Sequence, residues 1–164
     1  MLKYIYNGIR GIRMRVAISV NVNPKKPEGY NIIKAYNEKE VLKFAKRKST
    51  DGLNVGDIVY LWLTKPISNF MYKCEVVEIN SNQPIDDKEY YYNVEQREQI
   101  INEDNGTYSL KLINKIDEKH KEEVTLKRMK ELNLTKMNYI QCCCKDKNHK
   151  DMFDYLDKKF NCAE

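Results

Sequence analysis

The segment VGDIVYLWL, residues 55–63, constrains the fold most, because it is apolar on both faces at a period of two. Val59, Leu61 and Leu63 project to one side, and Ile58, Tyr60 and Trp62 to the other. β-Branched and aromatic residues suit a pleated strand, and a strand without a polar face has to be covered twice. The chain therefore needs a sheet whose centre is packed on both sides.

The flanking segments supply the rest of such a sheet. From Met14, MRVAISVNVNP alternates Val16, Ile18, Val20 and Val22 with Ala17, Ser19, Asn21 and Asn23. That pattern predicts a half-buried strand whose second face is small and polar, either open to solvent or flooring a shallow pocket. Pro24 ends it, and Gly29 belongs to the following loop. Asn37 is expected to cap a short helix from about Glu38 to Phe44, with Glu38 and Glu40 in its first turn. Lys46, Arg47 and Lys48 at the far end would complement the helix dipole.

Turn chemistry follows at Asp51-Gly52 and Gly56-Asp57. MYKCEVVEI should return across TKPISNF as a hairpin partner of residues 55–63, and Tyr108, Leu110, Leu112 and Ile116 mark a further strand. Thr125 precedes a helical segment carrying Leu126, Met129 and Leu132, and Met152, Tyr155, Leu156 and Lys159 form a stripe near residue 160. Within the polar stretch 80–106, Tyr90, Tyr91 and Tyr92 fit an edge strand or a loop packed on the sheet. The expected class is α+β: a β-barrel or strongly curved sheet with short peripheral helices, one domain over 14–164. Residues 1–13 fit no pattern, with Met14 as an alternative start.

With 41% apolar residues, 32% charged residues and 12 Tyr, the chain has the composition of a globular protein rather than a disordered one. No run approaches the ~20 apolar residues of a membrane span, and Arg10 and Arg13 interrupt the N-terminal stretch. A cytoplasmic protein without membrane association is expected. Five Cys, three of them consecutive at Cys142, Cys143 and Cys144, do not form a disulfide framework. Adjacent thiolates also lack the spacing that closes on one zinc ion, even with His149 and Cys162 nearby.

Catalytic patterns are missing from the sequence. His120 and His149 belong to no triad or metal motif, and no phosphate-binding glycine loop is present. Asp86-Asp87 and Glu103-Asp104 read as solubilising acids. No cofactor and no enzymatic activity are expected. The net charge of +5 is modest, but Lys25–Lys26 and the run KFAKRK at 43–48 are locally basic. Phe44 lies inside that run, and Trp62 follows a Gly-Asp turn. Aromatic rings beside cations are what stacks bases and holds phosphates, although core packing also explains a lone Trp in a central strand.

Taken in order, NVNPKK at 21–26, FAKRK at 44–48, VGDIVYLW at 55–62, CEVVEI at 74–79, YSLKLINKI at 108–116 and VTLKRMKELNL at 124–134 resemble an EVE domain. The resemblance runs from Met14 to Phe160. It implies a PUA-like fold related to the YTH readers of N6-methyladenine. The implied function is non-catalytic binding of a modified base, often in DNA, as the specificity module of modification-dependent restriction beside a separate effector subunit. RNA binding, to tRNA or rRNA, is the alternative. By position, Phe44 and Trp62 would wall the base cage, Asn21 and Asn23 would form its polar edge, and Lys25, Lys26, Lys46 and Arg47 would hold the backbone. Phe44 stands where the family commonly has Trp, and NFMYK replaces its usual Gly-rich segment.

Overall fold

The computed structural model describes residues 13–46, 48–50, 52–80, 88–93 and 106–161. Its centre is β3 (Ile58–Leu63), buried along its whole length as its two apolar faces require. β4 (Asn69–Asn80) pairs antiparallel on one side of it, and β1 (Arg15–Val20) runs parallel on the other, with Val16 opposite Val59 and Val20 opposite Leu63. β5 (Thr107–Lys115) and β2 (Val41–Ala45) extend the sheet beyond β4, and the two-residue β6 (Cys144–Lys145) lies beyond β1. The order is β2-β5-β4-β3-β1-β6.

This is an open, curved sheet and not a closed barrel. Register shifts at Leu61/Trp62, Lys73/Cys74 and Val76/Glu78 bend β4 and its neighbours. Among the described residues, β2 pairs with β5 and β6 with β1, and these two edges do not join.

Each face has its own cover. On one, α1 (Ile32–Glu38) buries Ile32, Ala35 and Tyr36. The Tyr36 hydroxyl donates to Leu110 O at 3.2 Å and lies 3.4 Å from Cys74 Sγ, while its ring sits 5.0 Å from that of Tyr72. On the other face, α3 (Asp146–Asn161) buries Met152, Phe153, Leu156 and Phe160. The ring of Tyr60 meets Phe153 at 6.0 Å and Phe160 at 5.2 Å.

A charged clamp fixes α3 to β1. Arg15 donates to Asp146 (2.9 and 3.2 Å), Asp154 (2.9 Å) and Asp157 (2.7 Å), and its guanidinium lies 5.7 Å from the centre of the Phe153 ring. Tyr60 also donates to Asp157, and Lys73 approaches it at 3.7 Å. Burial works against the Arg15 charge, but the hydrogen bonds it donates to the three carboxylates outweigh it and raise the pKa. Farther along, Glu123 accepts from Lys159 at 2.7 Å and meets His120 Nδ1 at 2.9 Å. Lys159 first and His120 second hold its carboxyl below the ordinary range.

Four sequence expectations change. The helix expected over Glu38–Phe44 lies earlier, at Ile32–Glu38, capped by Asn31, whose Oδ1 accepts from Lys34 N at 3.3 Å. The apolar i, i+3, i+4 set is Ile32, Ala35 and Tyr36, whereas Leu42 and Phe44 alternate as a strand and pair with Leu110 and Tyr108. Second, the polar face of β1 is covered in part: Ala17 is fully buried, because β1 is an internal strand under α3, while Ser19 stays half-buried. Third, the stripe of the last helix is Met152, Phe153, Leu156 and Phe160, with Tyr155 and Lys159 at its margin. Fourth, α3 is the longest helix described, not a short peripheral one.

The cap at Thr125 is present, its Oγ1 accepting from Arg128 N at 3.2 Å at the start of α2 (Leu126–Glu131). Among the described residues, no helix is long and apolar enough to cross a membrane.

Candidate nucleic-acid interface

Between β1 and α1 the chain makes a loop whose shape its own side chains dictate. Asn21 Oδ1 accepts from Asn23 N and Asn23 Oδ1 from Lys25 N, both at 2.9 Å, giving two overlapping Asx turns. Lys26 N donates to Asn23 O, Gly29 N to Lys26 O, and Tyr30 N to Asn21 O, which closes the loop on itself. The closure is tight enough that a Cβ on Gly29 would stand 2.1 Å from Asn23 O. Lys25 and Lys26 are left exposed at the tip.

A second segment is stitched to the back of this loop. Asn31 N donates to Tyr90 O (2.8 Å) and Tyr92 N to Gly29 O (3.1 Å), Tyr30 and Tyr91 form an isolated bridge, and Asn93 Nδ2 reaches Lys26 O (3.4 Å). The tyrosine run is thus a short turn and a single bridge held against the lysine loop and α1, rather than a paired edge strand. Tyr90 turns inward, donating to Glu38 Oε2 at 2.6 Å beneath the Lys39 ammonium, and the hydrogen bond to Glu38 raises its pKa. Tyr92 turns outward, 43% exposed, beside the lysine loop.

Phe44 joins this assembly through Tyr30. Their rings lie 5.7 Å apart edge-on, and Phe44 stacks on Tyr108 at 5.8 Å. It is half-buried. Trp62 does not join it. Only 7% exposed, it packs edge-on against Phe70 at 5.2 Å, on the face that α3 covers, whereas Phe44 and Tyr108 share the face of α1. Trp62 pairs with Phe70 near the start of β4, while Tyr108, the partner of Phe44, pairs with Ile79 near its end. A single cage walled by Phe44 and Trp62 is therefore not formed. The two rings occupy opposite faces of the sheet, and Trp62 is a core residue.

The other expected contacts divide. Asn21 spends both ends of its amide within the loop, its Nδ2 donating to Glu28 Oε1 at 3.0 Å, while Asn23 uses only its oxygen. Lys46 is half-buried next to Phe44, its N–H bonded to Gly106 O. Arg47 lies outside the described residues, as do the acid pairs at 86–87 and 103–104 and Cys162. Tyr92 was not singled out by sequence reasoning; three consecutive Tyr in a polar stretch were the available signal.

Little else has the makings of a reactive centre. A recess of about 330 Å³ lies between Tyr36–Glu40 and Lys111–Ile113, edged by acids and lysines alike. Cys142 and Cys143 are half-buried, and Cys144 is buried with its Sγ 3.5 Å from Met137 Sδ. Burial pushes the thiols of Cys143 and Cys144 up, away from the reactive thiolate. Among the described residues, no three His, Cys, Asp or Glu side chains are grouped to hold a metal ion.

No protein-family model matches the chain, and no curated protein does. Among solved structures, a serine-to-alanine variant of the ASCH protein ZmASCH from Zymomonas mobilis is similar with a TM-score of 0.52. That match is 14% identical and covers 88% of this chain and 94% of that one. At that identity the two proteins share a fold and nothing finer. The unsubstituted ASCH protein of the same organism is 14% identical over 88% of this chain and 94% of its own, with a TM-score of 0.47. The likeness to ASCH is one of fold, and the EVE family itself is not shown.

Proposed function

We propose that this chain is a non-catalytic nucleic-acid-binding module that holds phosphates with Lys25 and Lys26 and stacks an unpaired base on Tyr92. The observation that carries this reading is the stitching of the Tyr91–Asn93 segment to the lysine loop. It brings an exposed aromatic residue to the loop that carries two exposed lysines, and aromatic rings together with lysines bind single-stranded nucleic acid. The ASCH-like fold supports the reading.

The narrower form, an EVE-type reader of an extruded modified base in DNA working with an effector subunit, draws support from the half-buried Phe44 and the spare amide donors of Asn23. Base extrusion costs a few kcal/mol and favours bases already unpaired or modified. One titration series addresses both forms: labelled single-stranded RNA, single-stranded DNA, and duplex DNA with and without a modified base, at several salt concentrations, with the products inspected for cleavage. Salt-dependent binding of single strands is expected, without cleavage. Tighter binding of the modified duplex would establish the narrower form, and no binding to any of the four would refute the proposal as a whole.

A further inference from the structure

The positive charge of this chain is unevenly placed. Residues 124–145 hold Lys127, Arg128, Lys130, Lys136 and Lys145 against one acid, Glu131, while cations and anions nearly cancel over the rest. Glu131 is itself engaged by Arg128 at 3.3 Å. Within this stretch Lys127 and Lys130, three residues apart on α2, share a face. Lys130 Nζ donates to Asn138 Oδ1 at 2.7 Å, which draws the segment after α2 against that face.

The segment is anchored from within. Leu134 and Met137 pack on the core, and Thr135 and Ile140 are buried. The residues between them, Lys136, Asn138 and Tyr139, point outward. Tyr139 is 64% exposed, more than any other large apolar residue among those described, and Gln141 Nε2 meets its hydroxyl at 3.4 Å. An aromatic ring left in water on an anchored segment of lysine-rich sequence with little opposing charge is a platform of the kind proposed for Tyr92.

We infer that α2 and the segment to Tyr139 form a second single-strand contact, in which Tyr139 stacks a base and Lys127, Lys130 and Lys136 bind phosphates. This rests on the nucleic-acid reading proposed above and extends it to a substrate class: a single strand long enough to engage both surfaces. A duplex, whose bases are stacked within the helix, would meet only the lysines.

The test uses the full chain and oligouridylates of about 5 and about 20 nucleotides, the shorter being near the smallest single-strand site sizes. Tyr139→Ala, and separately the Lys127→Ala/Lys130→Ala pair, should lower affinity for the long strand by roughly fivefold to a hundredfold and leave the short strand nearly unchanged. Tyr139→Phe should retain wild-type binding. All three positions are exposed, and a melting curve on each variant checks that the fold is kept. Unchanged long-strand binding in both variants, with Tyr92→Ala still weakening both lengths, overturns the inference and leaves the function proposal standing. Polyglutamate displacing the long strand as well as polyuridylate does, with Tyr139→Ala silent, also overturns it, in favour of an acidic protein partner. Absence of wild-type binding to either length removes both readings at once.

Discussion

Replacing Gly29 by Ala would set a methyl group 2.1 Å from the Asn23 carbonyl, so the loop carrying Lys25 and Lys26 has to move. Overpacking of this kind costs about 1–3 kcal/mol, and here it also displaces the proposed phosphate contacts. Gly56→Ala is the control. Its φ of +97° makes the substitution strained by about 1 kcal/mol, but a Cβ there meets nothing within 4 Å, so binding should survive. Denaturant melts and single-strand titrations on the two variants should separate stability loss alone from stability plus binding loss. Trp62→Ala should cost about 3–5 kcal/mol of stability, as a buried aromatic does, with affinity per folded molecule unchanged. A selective loss of base discrimination would return Trp62 to the binding site. Lys25→Ala and Lys26→Ala should each weaken all nucleic acids about equally and flatten the slope of log K against log salt by roughly 0.7–0.9.

Among the elements, α3 depends most on a few charges. Arg15→Met leaves three aspartates clustered without their guanidinium, and because Asp154 and Asp157 are partly solvated the cost should be about 1–3 kcal/mol, less than for a fully buried network. Acid should act on the same contacts. Lys150 first and Arg15 second hold the Asp154 carboxyl below its ordinary 3.8, and Glu123 is likewise held below 4.5. A depressed carboxyl contributes stability that is present above its unfolded value and is lost as pH falls through the folded one. Hydrogen exchange in α3 should therefore accelerate below about pH 4, ahead of exchange in β3; equal protection of both down to unfolding would argue against the clamp. The strands were legible because their signals are local: alternation over residues 15–20 and 107–115, and a run of β-branched and aromatic residues apolar on both faces over 58–63. The helix before β2 was misread because Asn37 and its acids look like an entry, although Ile32, Ala35 and Tyr36 carry the apolar stripe. The site was less legible still. It joins residues 21–30 to 88–93 through backbone hydrogen bonds that leave no trace in side-chain pattern, and Trp62 drew attention by rarity while its burial depended on a helix nearly a hundred residues later.

Over the whole molecule, several protons are locked in by burial. Burial pushes the Cys74 thiol from 9.0 to about 12 and the Tyr72 hydroxyl from 10.0 to about 12. In the unfolded chain both ionise earlier, so their contribution is complete below pH 9 and declines as pH rises through 9 to 12. Urea midpoints should be level up to pH 9 and fall beyond it; a midpoint that rose there would contradict the burial of this pair. The parallel pairing of β1 with β3, and the clamp from Arg15 to α3, also set a timetable for synthesis. Arg15 leaves the ribosome 131 residues before Asp146. At cellular elongation rates that is on the order of ten seconds, and for the later part of it β1 and β3 are both made without the helix that covers the face of Ala17 and Tyr60. A half-made sheet with one apolar face open to water is a substrate for trigger-type chaperones and a seed for aggregation, so yield in cells should depend on the holdase supply more steeply than the melting temperature of the finished protein would suggest.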